Sequence, residues 1–321
     1  MKPPAFWWHG GSPPWILLPL AWIYATATAR RMEKAGWTAP IPVICCGNPG
    51  AGGSGKTPLA LDIARRLQAR GHAPAFLTRG HGGALAGPLR VEPARHSARD
   101  VGDEALLLAE CAPTFVGGDR AASAKLAIGA GAEVLVMDDG LQNPTLAKTL
   151  SLLVIDGGAG FGNGCVIPAG PLRETVAAAA MRCQAAVIIG ADATGALAAL
   201  PASLPTLTAG FVPEPAGIGD LLEHVVAFAG IGRPQKFFQT LRAAGLVLAE
   251  TMEFADHHPY SDADLALIRN RAEALGARLV TTAKDFMRIP AVDRHGIDVV
   301  RIRLEWADPA GIEAMLDAAM R

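Results

Sequence analysis

A glycine-rich segment at residues 50–57 has the residue types and spacing to bind a nucleoside triphosphate. It reads G-A-G-G-S-G-K-T and fits the phosphate-loop pattern G-x-x-x-x-G-K-[ST] at every fixed position. The glycines let successive backbone N–H groups turn inward around the α- and β-phosphates. The Lys56 ammonium would reach the β- and γ-phosphates, and the Thr57 hydroxyl would ligate Mg²⁺. The predicted phosphate-binding residues are Gly50, Ala51, Gly52, Gly53, Ser54, Gly55, Lys56 and Thr57.

The flanks of this segment favour a nucleotide loop over a glycine-rich turn that matches the pattern by chance. Residues 41–46 form a short apolar run that suits a buried strand. Residues 58–70 read as a helix, and Pro58 is tolerated in its first turn. A strand, a glycine loop and a helix N-terminus in this order make an anion site.

Two adjacent carboxylates, Asp138 and Asp139, follow the apolar run at 134–137. Paired acids at the end of a buried strand are costly unless a cation or hydrogen bonds compensate them. In nucleotide enzymes this is where a Mg²⁺-organising acid belongs. The alternative is a turn in which aspartate caps the backbone.

Three other polar motifs stay ambiguous from the residues alone. Asp103 and the next glutamate precede the apolar run 105–109, where acids also suit a helix N-terminus. Asp256, His257 and His258 lie in a polar loop, where an Asp–His pair could hold a base or a transferring proton or could form a surface turn. Lys284 and Asp285 are similar to a guanine-reading motif but lack its spacer.

Composition indicates an ordered protein that does not bind nucleic acid through bulk charge. The chain has 321 residues, half of them hydrophobic, and a formal net charge of −1 at pH 7. We therefore expect two domains and no nucleic-acid partner. None of the five cysteines forms a C-x-x-C pair, which argues against a zinc site, and their odd number favours a reducing cytoplasm.

The N-terminal segment is the compositional exception. It carries no formal charge between Lys2 and Arg30 and has neither the basic start nor the cleavage site of a signal peptide. Its unbroken apolar part, residues 15–29, is short for a span of about 20 residues. Tryptophans within it and the cations at residues 30, 31 and 34 predict a helix lying in a membrane interface. The alternative is an apolar helix buried on the protein's own core.

Beyond the glycine loop, short apolar strands alternate with helices, which predicts an α/β fold. We expect a P-loop NTPase-like, mostly parallel sheet with helices on both faces, and a second, smaller α/β domain. A Pro- and Gly-rich stretch at 201–219 reads as a linker or domain edge, and residues 299–302 as one strand. The predicted units are an N-terminal helix at 1–35, a P-loop domain at 36–210 and a smaller domain at 211–321. Packing of the last helix against the first domain is left open as an alternative.

A series of motifs in one order resembles the tetraacyldisaccharide 4′-kinase family over nearly the whole chain. The matching segments are residues 17–24 (L-L-P-L-A-W-I-Y), 47–58, 78–80 (T-R-G), 101–104 (V-G-D-E), Arg120, 138–142 (D-D-G-L-Q), 167–174 (I-P-A-G-P-L-R-E), 228–235 (F-A-G-I-G-R-P-Q), 254–257 (F-A-D-H) and 281–285. The sequence departs from the usual family pattern at His81, where Tyr is usual, and at Asn143, where His is common.

This resemblance implies a membrane-associated kinase with its active site between two α/β domains. It would move the γ-phosphate of ATP to the 4′-hydroxyl of an acylated glucosamine disaccharide 1-phosphate, forming lipid IVA at the cytoplasmic face of the bacterial inner membrane. The resemblance also implies that Asp103 and His257 activate the hydroxyl, and that Thr57, Asp138 and Asp139 organise Mg²⁺.

Three other classes of protein fit the residues less well. A metal-insertion ATPase of the deviant-loop type carries a second lysine where Ala51 stands. A GTPase switch requires an N-K-x-D motif, which the sequence lacks. A membrane-docking module without enzymatic activity would account for the N-terminus but not for the glycine loop and its acidic pair.

Overall fold

The computed structural model describes residues 4–8, 13–50, 52–214 and 224–321. Ala51 of the predicted phosphate-binding set, and the end of the predicted linker at 215–219, lie outside the described residues.

Within the described residues, nine strands form one large sheet in the order β13-β8-β7-β6-β1-β5-β2-β4-β3. The central seven are parallel, and β13 and β3 are antiparallel edges. The strands are β1 (Val43–Gly47), β2 (Pro74–Thr78), β3 (Leu89–Arg90), β4 (Thr114–Val116), β5 (Val134–Asp138), β6 (Leu150–Asp156), β7 (Ala185–Ile189), β8 (Thr206–Pro213) and β13 (Ile302–Trp306).

Helices cover both faces of this sheet. They are α1 (Leu18–Met32), α2 (Lys56–Ala69), α3 (Ala98–Val101), α4 (Asp103–Ala109), α5 (Arg120–Gly129), α6 (Val176–Ala180) and α10 (Pro309–Ala319). On one face Leu59 and Ile63 of α2 and Ile312 of α10 pack on β1 and its neighbours. On the other face α1, α5 and α6 contribute small side chains to a second core layer. Strands buried on both sides explain the unbroken apolar runs of the sequence.

A second sheet of four parallel strands has the order β10-β9-β11-β12 among the described residues. Phe238 and Leu241 pack on one face of this sheet and Leu265 and Ile268 on the other. Its strands are β9 (His224–Ala229), β10 (Val247–Glu253), β11 (Arg278–Thr282) and β12 (Ile297–Val300), and its helices are α7 (Pro234–Ala243), α8 (Asp262–Ala274) and α9 (Ala283–Arg288). The two sheets confirm the predicted fold class. The predicted domain limits stay a prediction.

Two local predictions need correction. Residues 206–213 of the predicted linker form strand β8, which pairs with β7 and β13. Prolines that flank or end the strand, and Gly210 within it, gave this segment the composition of a loop. The strand predicted at 299–302 is two strands, because the chain leaves the small sheet at Arg301 and joins the edge of the large one.

Candidate functional site

The glycine loop joins the central strand β1 to α2 and has the backbone that a phosphate-binding loop needs. Gly52 and Gly55 have φ of 138° and 90°, in the region that favours glycine. A Cβ at Gly55 would also lie 2.5 Å from Ile189 Cδ1, so a larger residue would have to displace that side chain as well as adopt a strained φ. Lys56 is the first residue of α2, and its Nζ donates to the Gly52 carbonyl at 3.3 Å. The positive end of the helix therefore points into the loop.

Strand register brings the acidic pair to this loop. Cys46, near the end of β1, pairs with Asp138, the last residue of β5. Thr57 Oγ1 donates a hydrogen bond of 2.7 Å to Asp138 Oδ2. Asp139, with φ of 55°, places its Oδ1 3.7 Å from Lys56 Nζ and accepts from Arg173 at 3.1 Å on Oδ2. The predicted lysine, threonine and aspartates thus meet in one place.

Three buried oxygens around the loop have no hydrogen-bond partner among the described residues: Ser54 Oγ, Asp138 Oδ1 and Asp139 Oδ1. Unsatisfied buried polar groups are rare in folded proteins, so these atoms indicate a ligand. The described residues contain no group of three His, Cys, Asp or Glu able to enclose a metal ion. One hydroxyl, one or two carboxylates and substrate phosphates are the usual set for Mg²⁺, and the residues present fit that set.

The pKa values of the two adjacent aspartates are shifted in opposite directions. Burial, reinforced by the charge of Glu104, raises the pKa of Asp138 to about 7. Burial also opposes the ionisation of Asp139, but the charges of Lys56 and Arg173 outweigh it and hold that pKa below its usual value. Asp138 is therefore the carboxyl that a cation would stabilise most.

A second cluster joins the two sheets. His257 Nδ1 lies 3.0 Å from Asp103 Oδ2. Asp103 begins α4 beside the large sheet, and His257 lies in the loop after β10, with φ of 57°. Lys284 Nζ lies 3.0 Å from Glu104 Oε1 and 3.4 Å from His257 Nε2. Asp103 is therefore both a helix N-terminal residue and the partner of His257, which unites the two interpretations that the sequence left open.

The Asp103 contact changes the pKa of both partners. The hydrogen bond with Asp103 raises the pKa of His257 above 6.5, against burial and the charge of Lys284. Burial opposes ionisation of Asp103, but His257 and Lys284 hold its pKa below the usual value. With Nδ1–H donating to Asp103, the Nε2 lone pair of neutral His257 is directed toward Lys284 and the cleft.

A single cleft of about 1300 Å³ is lined by both clusters. The glycine loop and Asp139 lie on its large-sheet side, and His257 and Lys284 on its small-sheet side. Tyr24 and Arg31 of α1 also line it. His81 lines the cleft with its ring centroid 5.6 Å from that of His257, and Asn143 lines it while donating to the Gly118 carbonyl.

Several charged residues near the site had no role assigned from the sequence. Arg173 binds Asp139, Arg288 contacts Asp103 at 3.0 Å, and Asp156 pairs with Arg233 and Lys236. Arginine and lysine are common on surfaces, so their type gave no signal. The spacing of Lys284 and Arg288, one turn apart on a helix, was the available clue.

Helix α1 packs through one narrow face and exposes the rest. In α1, Ala21 and Thr28 are buried, whereas Trp22 is 71% exposed. Trp15, in the 3-10 turn that precedes α1, is 80% exposed. The alternative of a helix buried on the protein's own core is therefore wrong for most of its apolar side chains. No helix in the described part of the chain has both the length and the apolar character needed to cross a bilayer.

Comparison with known proteins identifies one family for this chain. The family model described as tetraacyldisaccharide-1-P 4′-kinase matches residues 13–321. The tetraacyldisaccharide 4′-kinase of Gluconacetobacter diazotrophicus is 54% identical over 319 residues, covering 99% of this chain and 98% of that protein. The Gluconobacter oxydans enzyme is 48% identical over 318 residues, covering 98% and 97%. LpxK from Aquifex aeolicus, solved in complex with ATP, has the same fold with a TM-score of 0.76 at 24% identity, covering 95% of this chain and 99% of that one. The chain belongs to the tetraacyldisaccharide 1-phosphate 4′-kinase family.

Proposed function

We propose that the protein transfers the γ-phosphate of ATP to the 4′-hydroxyl of tetraacyldisaccharide 1-phosphate, which gives lipid IVA. The observation that carries this proposal is the shared cleft, because a phosphate loop with unsatisfied acidic oxygens faces an aspartate–histidine pair across it. The first cluster suits the phosphoryl donor and the second suits an alcohol acceptor.

The donor side would act by positioning and charge neutralisation. The backbone N–H groups of residues 52–55 and the α2 N-terminus would hold the α- and β-phosphates. Lys56, which now contacts Asp139 at 3.7 Å, would turn toward the β- and γ-phosphates. Thr57 and Asp138, with Asp139, would hold Mg²⁺, which supplies neutralisation of the phosphate charge when it is bound. Arg173 keeps Asp139 ionised for that role.

The acceptor side would act by moving one proton. Neutral His257 takes the proton of the 4′-hydroxyl on Nε2 while the 4′-oxygen bonds to the γ-phosphorus. The bond between the γ-phosphorus and the β–γ bridging oxygen breaks, and ADP leaves with the electron pair. Asp103 holds the imidazole through Nδ1 and stabilises the imidazolium that forms.

The N-terminal helix would bring this cleft to the lipid. Its exposed tryptophans suit headgroup depth, and Arg30 and Arg31 in its last turn suit anionic lipid. Tyr24 and Arg31 of the same helix line the cleft, so a sugar headgroup could enter it while the acyl chains stay in one leaflet. The proposed location is therefore peripheral, on the cytoplasmic face of the inner membrane.

The test is ATP turnover measured with and without tetraacyldisaccharide 1-phosphate in mixed micelles. The proposal requires ADP release that rises with the lipid acceptor and stops when the acceptor is exhausted. A rate of ADP release that does not depend on the lipid would instead favour an ATPase of another kind.

A further inference from the structure

Arg288 is a buried charged side chain that contacts Asp103 of the Asp103–His257 pair. Its side chain is 4% exposed. The Nε atom lies 3.0 Å from Asp103 Oδ2, the same oxygen that His257 contacts, in an ion pair that lacks hydrogen-bond alignment. A second buried carboxylate, Asp285, lies 3.0 Å from Nη2. A buried cation between two buried anions is stable only as a complete set.

The other contacts of Arg288 hold the backbone that carries His257. Its Nη1 donates to the His258 carbonyl at 3.1 Å, and its Nη2 donates to the Gly230 carbonyl at 2.9 Å. The same Gly230 carbonyl accepts the His257 backbone N–H at 3.1 Å. His257 has a left-handed φ of 57°, a conformation that persists in a non-glycine residue only where its surroundings enforce it.

Asp285 fixes Arg288 from the opposite side. It is fully buried and accepts from Tyr260 Oη at 2.7 Å, Thr282 Oγ1 at 2.6 Å and the Gly230 N–H at 2.8 Å. All of these donors belong to the small-sheet unit, whereas Asp103 belongs to α4 beside the large sheet. Arg288 therefore connects a hydrogen-bonded network of one unit to a carboxylate of the other.

We infer that Arg288 is a positioning residue for phosphoryl transfer, which assembles the Asp103–His257 pair across the junction of the two units and couples its alignment to their docking. This inference rests on the proposed function of the pair. Arg288 reaches the acceptor hydroxyl only through Asp103 and His257, so its loss should lower kcat and leave the KM for ATP nearly unchanged. A 1 Å displacement at an active site costs about 10²-fold in rate, which sets the expected size of the effect.

The pH dependence of kcat/KM distinguishes this role from a purely structural one, because it responds to the charge of Arg288 near the pair. The groups facing His257 are Asp103 from α4, Lys284 from α9, and Asp256 and the His81 ring from loops, while Glu104 faces Lys284. Removing the Arg288 cation strengthens the negative field of Asp103 on His257. The pKa of His257 then rises, and the acidic limb of kcat/KM moves to higher pH by on the order of one unit.

The experiment compares Arg288→Met, Arg288→Gln and Arg288→Lys with Arg242→Met, which removes an exposed arginine from α7 of the same unit. Circular dichroism and thermal unfolding first establish which variants are folded. Arg288→Met and Arg288→Gln should lose about 10²-fold in kcat and shift the acidic limb upward. Arg288→Lys should have a higher kcat than these two variants and an acidic limb of kcat/KM at the wild-type pH. The reason is that lysine keeps the buried charge, although it lacks the planar guanidinium. Arg242→Met should match the wild type.

A double variant separates positioning from simple destabilisation. In a His257→Ala background, Arg288→Gln should cost less than about threefold, since residues that act as a unit are not additive. An equal loss in both backgrounds would overturn the inference, as would a folded neutral variant with wild-type kcat and pH profile, or a Lys variant no better than Gln. Wild-type protein without acceptor-dependent turnover would instead contradict the proposed function itself.

Discussion

His257 Nδ1 lies 3.0 Å from Asp103 Oδ2, although 154 positions separate the two residues in the chain. One begins a helix beside the large sheet, and the other lies in a loop of the small unit. The contact therefore exists only when both units are folded and docked. It lies across the cleft from the phosphate loop, so the proposed catalytic pair depends on tertiary structure that no local pattern specifies.

The first prediction is that Asp103 and His257 act as one unit. Asp103→Ala and His257→Ala should each lose most of kcat with smaller effects on ATP binding. The double variant should be little worse than the worse single variant. Steady-state kinetics with both substrates measure this. If the two losses multiply, the residues act independently and the pair has no joint role.

The second prediction concerns pH. Asp103 raises the pKa of His257 above 6.5, and only neutral His257 can take a proton, so kcat/KM should fall as pH drops through that raised pKa. Asp103→Asn removes the charge, which lowers the pKa of His257 and moves the acidic limb to lower pH, with a lower plateau. His258→Gln is the control, because His258 pairs with Asp264 rather than with Asp103. A limb that stays in place in Asp103→Asn rules out His257 as the titrating base.

The third prediction concerns Lys56. Lys56→Ala should lower kcat by about 10²-fold or more, because transfer depends on charge neutralisation at the phosphates. The protein should stay folded, since among the described residues the Lys56 ammonium makes one 3.3 Å contact to a backbone carbonyl and one 3.7 Å ion pair. Lys125→Ala, outside the cleft lining and above the Trp37 ring, is the matched control. Near-normal activity of Lys56→Ala would show that the phosphate-loop assignment is wrong.

The fourth prediction concerns the acidic pair. Asp138→Asn and Asp139→Asn should each raise the Mg²⁺ concentration needed for half-maximal rate. In the wild type the same requirement should rise as pH falls below about 7, because protonated Asp138 is no longer a ligand. Titration of the rate with Mg²⁺ at several pH values measures both effects. An unchanged Mg²⁺ dependence in both variants would exclude these carboxylates as metal ligands.

The fifth prediction concerns the N-terminal helix. Replacing Trp15, Leu18 and Trp22 with Gln should weaken vesicle binding and raise the KM for the lipid acceptor, while basal ATP hydrolysis changes little. These side chains are exposed, so thermal stability should hold. The control replaces Met181 and Val292 with Gln, since they are apolar residues elsewhere that are exposed at least as much. Co-sedimentation with vesicles is the measurement, and normal sedimentation with a lower unfolding temperature would indicate a role in the protein's own core.

The parallel core was predictable because each buried strand carries its signal locally. Strands β1, β5 and β7 read as apolar runs in the sequence, and helix α5 begins at a capping aspartate, Asp119. The phosphate loop and the acid after β5 follow from motif and strand ends alone. These features predict the side of the cleft that we assign to the phosphoryl donor.

Other features were not predictable because they depend on pairing between distant segments. Strand β8 contains proline and glycine, and only its neighbours β7 and β13 make it a strand. At Arg301 the chain changes sheet within what looks like one strand. The ion pair of Arg288 with Asp103 joins two residue types that are common on surfaces, and neither residue reveals its burial in the local sequence.

The most direct measurement of the central claim follows the γ-phosphate of ATP to its product. Tetraacyldisaccharide 1-phosphate is incubated with γ-labelled ATP and the protein, beside a 4′-deoxy analogue of the same lipid. The account predicts one labelled phosphate per acceptor on the natural lipid, located at the 4′ position by NMR, and none on the analogue. Label on the 4′-deoxy lipid, or label found only as inorganic phosphate with both lipids, would contradict it.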